Sequence, residues 1–201
     1  NIAEHPDFCT DNIAPAVNAT VARMQPGDRA SLSYGVYQIR EPLRIRSDNR
    51  LKYFSIRLSG IYEVPSADLE AAVQVEGDYL TFEMDKLTSN DKSDYYNQTE
   101  DDILPGGVSI GESCYSEYVF GEIEGFEFGI RLRPLEADTG LCFNKIRFRK
   151  LSYCYTPCLL SVPDGVTGWI NENQIFGGTV KGYFGVVYRK GSEQIDECNN
   201  N

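Results

Sequence analysis

The sequence predicts an all-β fold, a right-handed single-stranded parallel β-helix with a short N-terminal capping helix, and three observations carry that prediction. The last third of the chain repeats itself. Asn144-Lys145-Ile146 aligns with Asn173-Gln174-Ile175, Leu151 with Val180, Tyr155 with Phe184 and Leu159 with Tyr188, each pair 29 positions apart (173 less 144, 180 less 151). An earlier copy, Ile123 to Leu132, matches Val180 to Tyr188 after a one-residue gap and begins 28 positions before Leu151. At roughly 3.3 Å of rise per strand residue, a period of this size makes one coil of three short strands and their turns. The second observation is apolar alternation at a spacing of two in the middle of the chain, and the third is a single amphipathic stretch before the first strand. Leucine-rich repeats share a similar period, but their Leu-x-x-Leu-x-Leu frame is absent. An antiparallel sandwich gives no reason for residue types to recur so closely.

The elements follow in order. From Thr10 to Met24, apolar Ile13, Val17, Val21 and Met24 lie on one helical face, with Thr10 or Asp11 placed to cap it and Pro15 tolerated in the first turn. Gln25-Pro26-Gly27-Asp28 ends the helix, and Ala30 to Tyr34 and Gly35 to Ile39 alternate as strands. Ile56 and Leu58, Val73 and Val75, and Leu80 and Phe82 each mark one strand face. The expected organisation is an N-terminal cap over 1–28 and coils over 29–201, with a polar excursion around 85–117 that includes Glu100-Asp101-Asp102. With no initiator Met and a strand-like run, Gln194 to Cys198, just before the closing Asn199-Asn200-Asn201, both ends are expected to be cut from a longer protein. Asn144, Asn171 and Asn173 are expected at the corners, because Asn bonds neighbouring backbone and accepts left-handed angles. Gly177-Gly178 is expected at a bend.

The helix, the Pro26-Gly27 turn and the run Gly35-Val36-Tyr37-Gln38-Ile39 with Pro42-Leu43-Arg44-Ile45 resemble the start of pectate-lyase-like β-helix proteins, in which such a helix closes the open end of the solenoid. A cap is a physical requirement, since the first coil otherwise exposes its apolar interior and an unpaired strand edge. Gly168-Trp169-Ile170-Asn171-Glu172-Asn173, with Gly182-Tyr183-Phe184-Gly185-Val186 and the closing Cys198-Asn199-Asn200-Asn201, is similar to segments of phage tail-spike-type members of that group. Together these segments cover about half the chain, and 61–118 carries little of the pattern. The resemblance implies a virion appendage (tail spike, tail fibre or head fibre), copies associating as a homotrimer, other virion proteins as partners, and an extracellular location. It supports the scaffold better than any reaction. The Asn-Thr-Asp, His-Gly and Arg-Ile-Lys motifs of related polygalacturonases are missing, and the pectate-lyase calcium site maps onto no particular acids.

Charge and composition exclude several classes. A net charge of −11 with pI near 4.6 and scattered Lys and Arg leave no basic stripe for phosphates, so nucleic acid is not an expected partner. No run reaches the roughly 18 apolar residues of a membrane span, and no membrane insertion is expected. Six cysteines, Cys9, Cys114, Cys142, Cys154, Cys158 and Cys198, are spaced unlike zinc ligands, with His5 the sole histidine, so no metal and no cofactor are expected and buried thiols are the plain reading. Sequons stand at Asn18 and Asn97.

One histidine near the chain's start argues against Ser-His-Asp and Cys-His catalysis. Carboxylates remain, and adjacent coils are able to bring two together at glycosidase spacing, about 5–9.5 Å. Glu172, Asp164, Glu193, Asp196 and Glu197 are the catalytic candidates, set against a surface role for most of the 30 acids. With 13 Tyr and 10 Phe, an aromatic flank that stacks on sugars is expected, and Trp169, Tyr183 and Tyr188 are the carbohydrate-binding candidates. The expected function is structural and adhesive, with host-surface polysaccharide as ligand. The alternatives are a polysaccharide hydrolase or lyase using a carboxylate pair, and a purely architectural protein.

Overall fold

The computed structural model describes residues 1–46, 53–65, 67–89, 104–134, 136 and 138–189. After a 3-10 helix (Ile2–Glu4) and helix α1 (Ala14–Val21), the first coil holds β1 (Arg29–Leu32), β2 (Val36–Gln38) and β3 (Leu43–Ile45). The second holds β4 (Ser55–Val64) and β5 (Val73–Val75), and the third β6 (Thr81–Ser89), β7 (Val108–Ile110) and β8 (Ser113–Cys114). Two further full coils follow: β9 (Glu117–Glu124), β10 (Phe128–Leu132) and β11 (Thr139–Cys142), then β12 (Lys145–Cys154), β13 (Thr156–Ser161) and β14 (Gly168–Asn171). The last described coil has β15 (Gln174–Gly182) and β16 (Val186–Arg189). Corresponding strands pair in parallel, giving a first sheet β1-β4-β6-β9-β12-β15, a second β3-β5-β7-β10-β13-β16 and a third β8-β11-β14. The chain is a parallel β-helix of about five coils.

Alternation and period together build the interior. Because successive strand side chains point to opposite faces, in-register pairing lines up one inward residue per coil into a row. Ala30, Ile56, Phe82, Tyr118, Ile146 and Ile175 form such a row in the first sheet, and Tyr62, Leu87, Ile123, Leu151 and Val180 form another. The second sheet supplies Leu43, Val73, Val108, Ile130, Cys158 and Val186. Leu151 stacks on Val180 as the repeat predicts. The 29-residue offset does not extend through the whole coil, however. A register shift between Ser152 and Cys154, next to Tyr153 in a left-handed conformation (φ 55°), removes one residue, so Leu160 rather than Leu159 pairs with Tyr188.

The corners between third and first sheets also differ from expectation. The left-handed angle belongs to the residue before each inward-turning side chain, at Tyr53, Tyr79, Tyr115, Phe143 and Glu172 (φ 54° to 65°), and not to an asparagine. Four of these stack their rings outside the coil, Tyr53 on Tyr79 at 4.7 Å, Tyr79 on Tyr115 at 5.3 Å and Tyr115 on Phe143 at 5.0 Å, with planes within 20° of parallel. Asn144 and Asn173 turn inward and are buried. Asn144 Nδ2 donates to Asn173 Oδ1 (2.8 Å) and to the Ser113 carbonyl (2.8 Å), while its Oδ1 accepts from the Ser116 amide (3.0 Å). The side chains thus satisfy backbone groups that the sharp turn removes from the sheet ladder. Partway along the first sheet, Gly60 (φ 113°) sits where a Cβ would run into the Gly35 carbonyl, and its amide donates to Asp85 Oδ2 (2.9 Å).

Asp85 is therefore part of the stack. Of the polar excursion predicted around 85–117, residues 85–89 complete β6, 104–117 include β7 and β8, and 90–103 lie outside the described residues. Acids on this outer face are matched by bases on neighbouring coils. Lys86 Nζ lies 3.2 Å from Glu122 and 3.1 Å from Glu124, Lys150 Nζ 2.7 Å from Glu124, and Arg149 3.1 Å from Glu122. Burial alone would raise the Glu124 carboxyl, but hydrogen bonds from Lys150 and Lys86 outweigh it and hold it down to about 2.

The N-terminal end is closed by α1, shorter than the predicted helix. Ile13 is its N-cap with no side-chain bond, in place of Thr10 or Asp11, and Pro15 falls in the first turn. Ile13, Val17, Val21 and Met24 are all buried as the spacing predicts. Asn18 bonds the Pro42 carbonyl (3.0 Å) and the Arg44 amide (2.7 Å), tying α1 to β3 with both ends of its side chain. Its sequon is thus occupied by packing, and that of Asn97 lies outside the described residues.

Candidate functional site: an acidic cleft walled by Trp169

A cleft of about 410 Å³ opens where the second sheet passes into the third. Each coil delivers to it the residues that end a second-sheet strand or flank a third-sheet one. Arg46 and Glu76 follow β3 and β5, Glu112 and Cys114 come from the β7–β8 corner, and Glu136 and Asp138 precede β11. Trp169 of β14 forms one wall. Its register partner is Gly140, and the indole lies over that glycine so closely that a Cβ there would overlap the ring. The other part of the ring is exposed, at 39% for the residue.

The acids are positioned by bonds between coils. Asp78 Oδ1 accepts from the Cys114 amide (3.0 Å), and Asp138 Oδ1 accepts from the Thr167 hydroxyl (3.0 Å). Glu76 lies 3.4 Å from Arg46 Nη1 with its side chain 23% exposed. Burial raises the Glu76 carboxyl above the usual carboxylate range. Arg46 opposes that rise, and the charges of Glu112 and Glu136 add to it. A carboxyl raised by burial beside other carboxylates is the kind of arrangement that separates acid from base roles at glycosidase sites. Among the described residues no three His, Cys, Asp or Glu groups converge on a metal-sized site.

Of the sequence-predicted residues that lie among the described ones, the structure brings only Trp169 to this cleft. Glu172 occupies the left-handed corner position after Phe143 in the aromatic column. Asp164 lines a different groove of about 270 Å³, beside Arg131, Arg133 and Arg189. Glu193, Asp196 and Glu197 lie outside the described residues. Tyr188 lies on the last described coil, in the row of Ile45, Val75, Ile110, Leu132 and Leu160, and is exposed there. Tyr183 stacks on Tyr155 at 5.3 Å with planes 5° apart, which covers one of its faces.

Glu76 and Glu112 escaped sequence reasoning because 61–118 carries little of the repeat, and Glu136 because it follows the Ile123 to Leu132 copy and is not part of it. The signal was their place: each stands just after, or a few residues beyond, a short second-sheet strand, at Val73–Val75, Val108–Ile110 and Phe128–Leu132. Compared with known proteins, the chain matches no family model, no curated protein and no solved structure. No described helix is long and apolar enough to cross a membrane.

Proposed function

We propose that this chain is a structural and adhesive β-helix that holds saccharide in the Trp169 cleft. The observation that carries the reading is one indole spread flat over Gly140 beside carboxylates delivered by several coils. A flat ring face suits the C–H face of a sugar, and fixed carboxylates accept bonds from its hydroxyls. Because acids outnumber Arg46 in the cleft, the favoured ligands are neutral or amino sugars, and uronates or sialates are repelled. The setting implied by the tail-spike resemblance, a virion appendage assembled as a homotrimer and meeting host polysaccharide, belongs to the same proposal. A glycan array probed with the chain is expected to show neutral or amino-sugar binding that falls at least about tenfold in Trp169→Ala, near the cost of losing one good aromatic contact. An array and host-cell pull-downs that both show no binding defeat the adhesive reading.

A second reading, a polysaccharide hydrolase, is favoured by the raised Glu76 carboxyl next to Glu112. Glu76 would serve as general acid and an adjacent carboxylate as base or nucleophile. In that case Glu76→Gln abolishes reducing-end release while leaving binding in place, and activity falls as rising pH deprotonates Glu76. Binding with no release of reducing ends or unsaturated products leaves adhesion alone.

A further inference from the structure

The third sheet is the least extensive of the three, and β8 contributes only two residues to it. One of them, Cys114, is the register partner of Cys142 in β11. Adjacent strands run about 4.8 Å apart, inside the 4.4–6.8 Å that a disulfide spans between Cα atoms, and in-register neighbours project to the same face. Both residues are half-buried, so a small reagent reaches them, whereas Cys154 and Cys158 are buried in the interior and Cys9 lies far off in the N-terminal segment.

We propose that Cys114 and Cys142 are a modification site, closing into a disulfide that staples one coil to the next when the chain meets a small-molecule disulfide such as oxidised glutathione. One cysteine thiolate attacks a glutathione sulfur and expels the first glutathione thiolate. The second cysteine attacks the mixed disulfide and expels the other. One S–S bond forms in the protein as one is reduced in glutathione, and the two cysteine protons end on the two glutathione thiols. Burial and the neighbouring Cys114 thiol push the Cys142 thiol up to about 12, so closure is slow at neutral pH and quickens as pH rises. The bond would close a loop of one whole coil, 28 positions (142 less 114), in the sheet with the least lateral pairing. The inference does not depend on the saccharide reading.

The test uses the full chain with oxidised glutathione at mildly alkaline pH, followed by intact mass, a non-reducing peptide map and thermal unfolding. The expected result is the loss of two hydrogens, a peptide joining residues 114 and 142, and a Tm higher by roughly 5–12 °C, with no such bridge in Cys142→Ser. The proposal is overturned by a glutathione adduct that persists on either cysteine, by a bridge through another cysteine, or by thiols that stay free even under the forcing oxidant diamide. A bridge that leaves Tm unchanged overturns its role as a staple.

Discussion

At the N-terminal end, Ile13, Val17 and Val21 close the first coil and are fully buried, whereas in the last described coil Val180 and Val186 are 42% and 57% exposed. Yet Val180 shares an interior row with fully buried Leu151, and Val186 shares one with buried Cys158. The difference lies in the neighbour and not in the residue. In a solenoid each coil touches only the coils beside it, so an inward position becomes a buried one only when something stacks on it. Helix α1 does this at one end. Among the described residues no coil covers β15 and β16.

The largest way to break this comparison is to place a charge at each end. Val17→Asp buries a carboxylate with no partner and is expected to cost at least about 4 kcal/mol, enough to disorder the first coils, while Val186→Asp costs under about 1 kcal/mol. Denaturant unfolding of both variants checks it, and equal losses would mean that the last coil is sealed as well as the first. A gentler version stays within one row. Leu151→Ala is expected to lose about 2–4 kcal/mol and Val180→Ala under about 1 kcal/mol, because only the former leaves a cavity.

Corners sharpen the same point for polar groups. Asn144→Ala strips partners from the Ser116 amide and the Ser113 carbonyl and is expected to cost about 2–3 kcal/mol. The smallest effect is read by pH. Glu124 is held down to about 2 in the folded chain, below the ordinary glutamate value of 4.5, so its contribution is fully present above about pH 4.5 and is lost as pH falls toward 2. Wild-type stability should therefore decline more steeply across that window than that of Glu124→Gln, as followed by circular dichroism of urea unfolding. Parallel curves for the two proteins would remove Glu124 from the account of acid sensitivity.

Much of this architecture was legible in the sequence because a coil repeats its demands. Val17 and Val21 on one helix face, Leu151 matching Val180 and the alternation at Val73 and Val75 each state a burial requirement in residue types alone. What was hidden depends on angles or on distant partners. The spacings from Tyr53 to Tyr79, Tyr115 and Phe143 are unequal, so no single offset aligns the column, although each ring directly precedes an inward-turning residue at the start of a first-sheet strand. The shift at Ser152–Cys154 is a backbone event with no composition of its own, and it displaced the assignment of Tyr188. Cleft acids stand beyond the ends of short strands, in irregular chain, where neither period nor alternation distinguishes Glu76 from other surface acids. Trp169 was found because its segment carries the family resemblance.

The column Tyr53–Tyr79–Tyr115–Phe143 also gives the molecule an optical character. Rings about 5 Å apart with nearly parallel planes couple their electronic transitions, so the stack contributes a near-ultraviolet circular dichroism signal of its own. Each coil that joins the column donates one chromophore, so separating two coils at this corner splits the coupled set at a defined place. Light absorbed on the outside of the molecule thus reports whether the coils beneath remain in register.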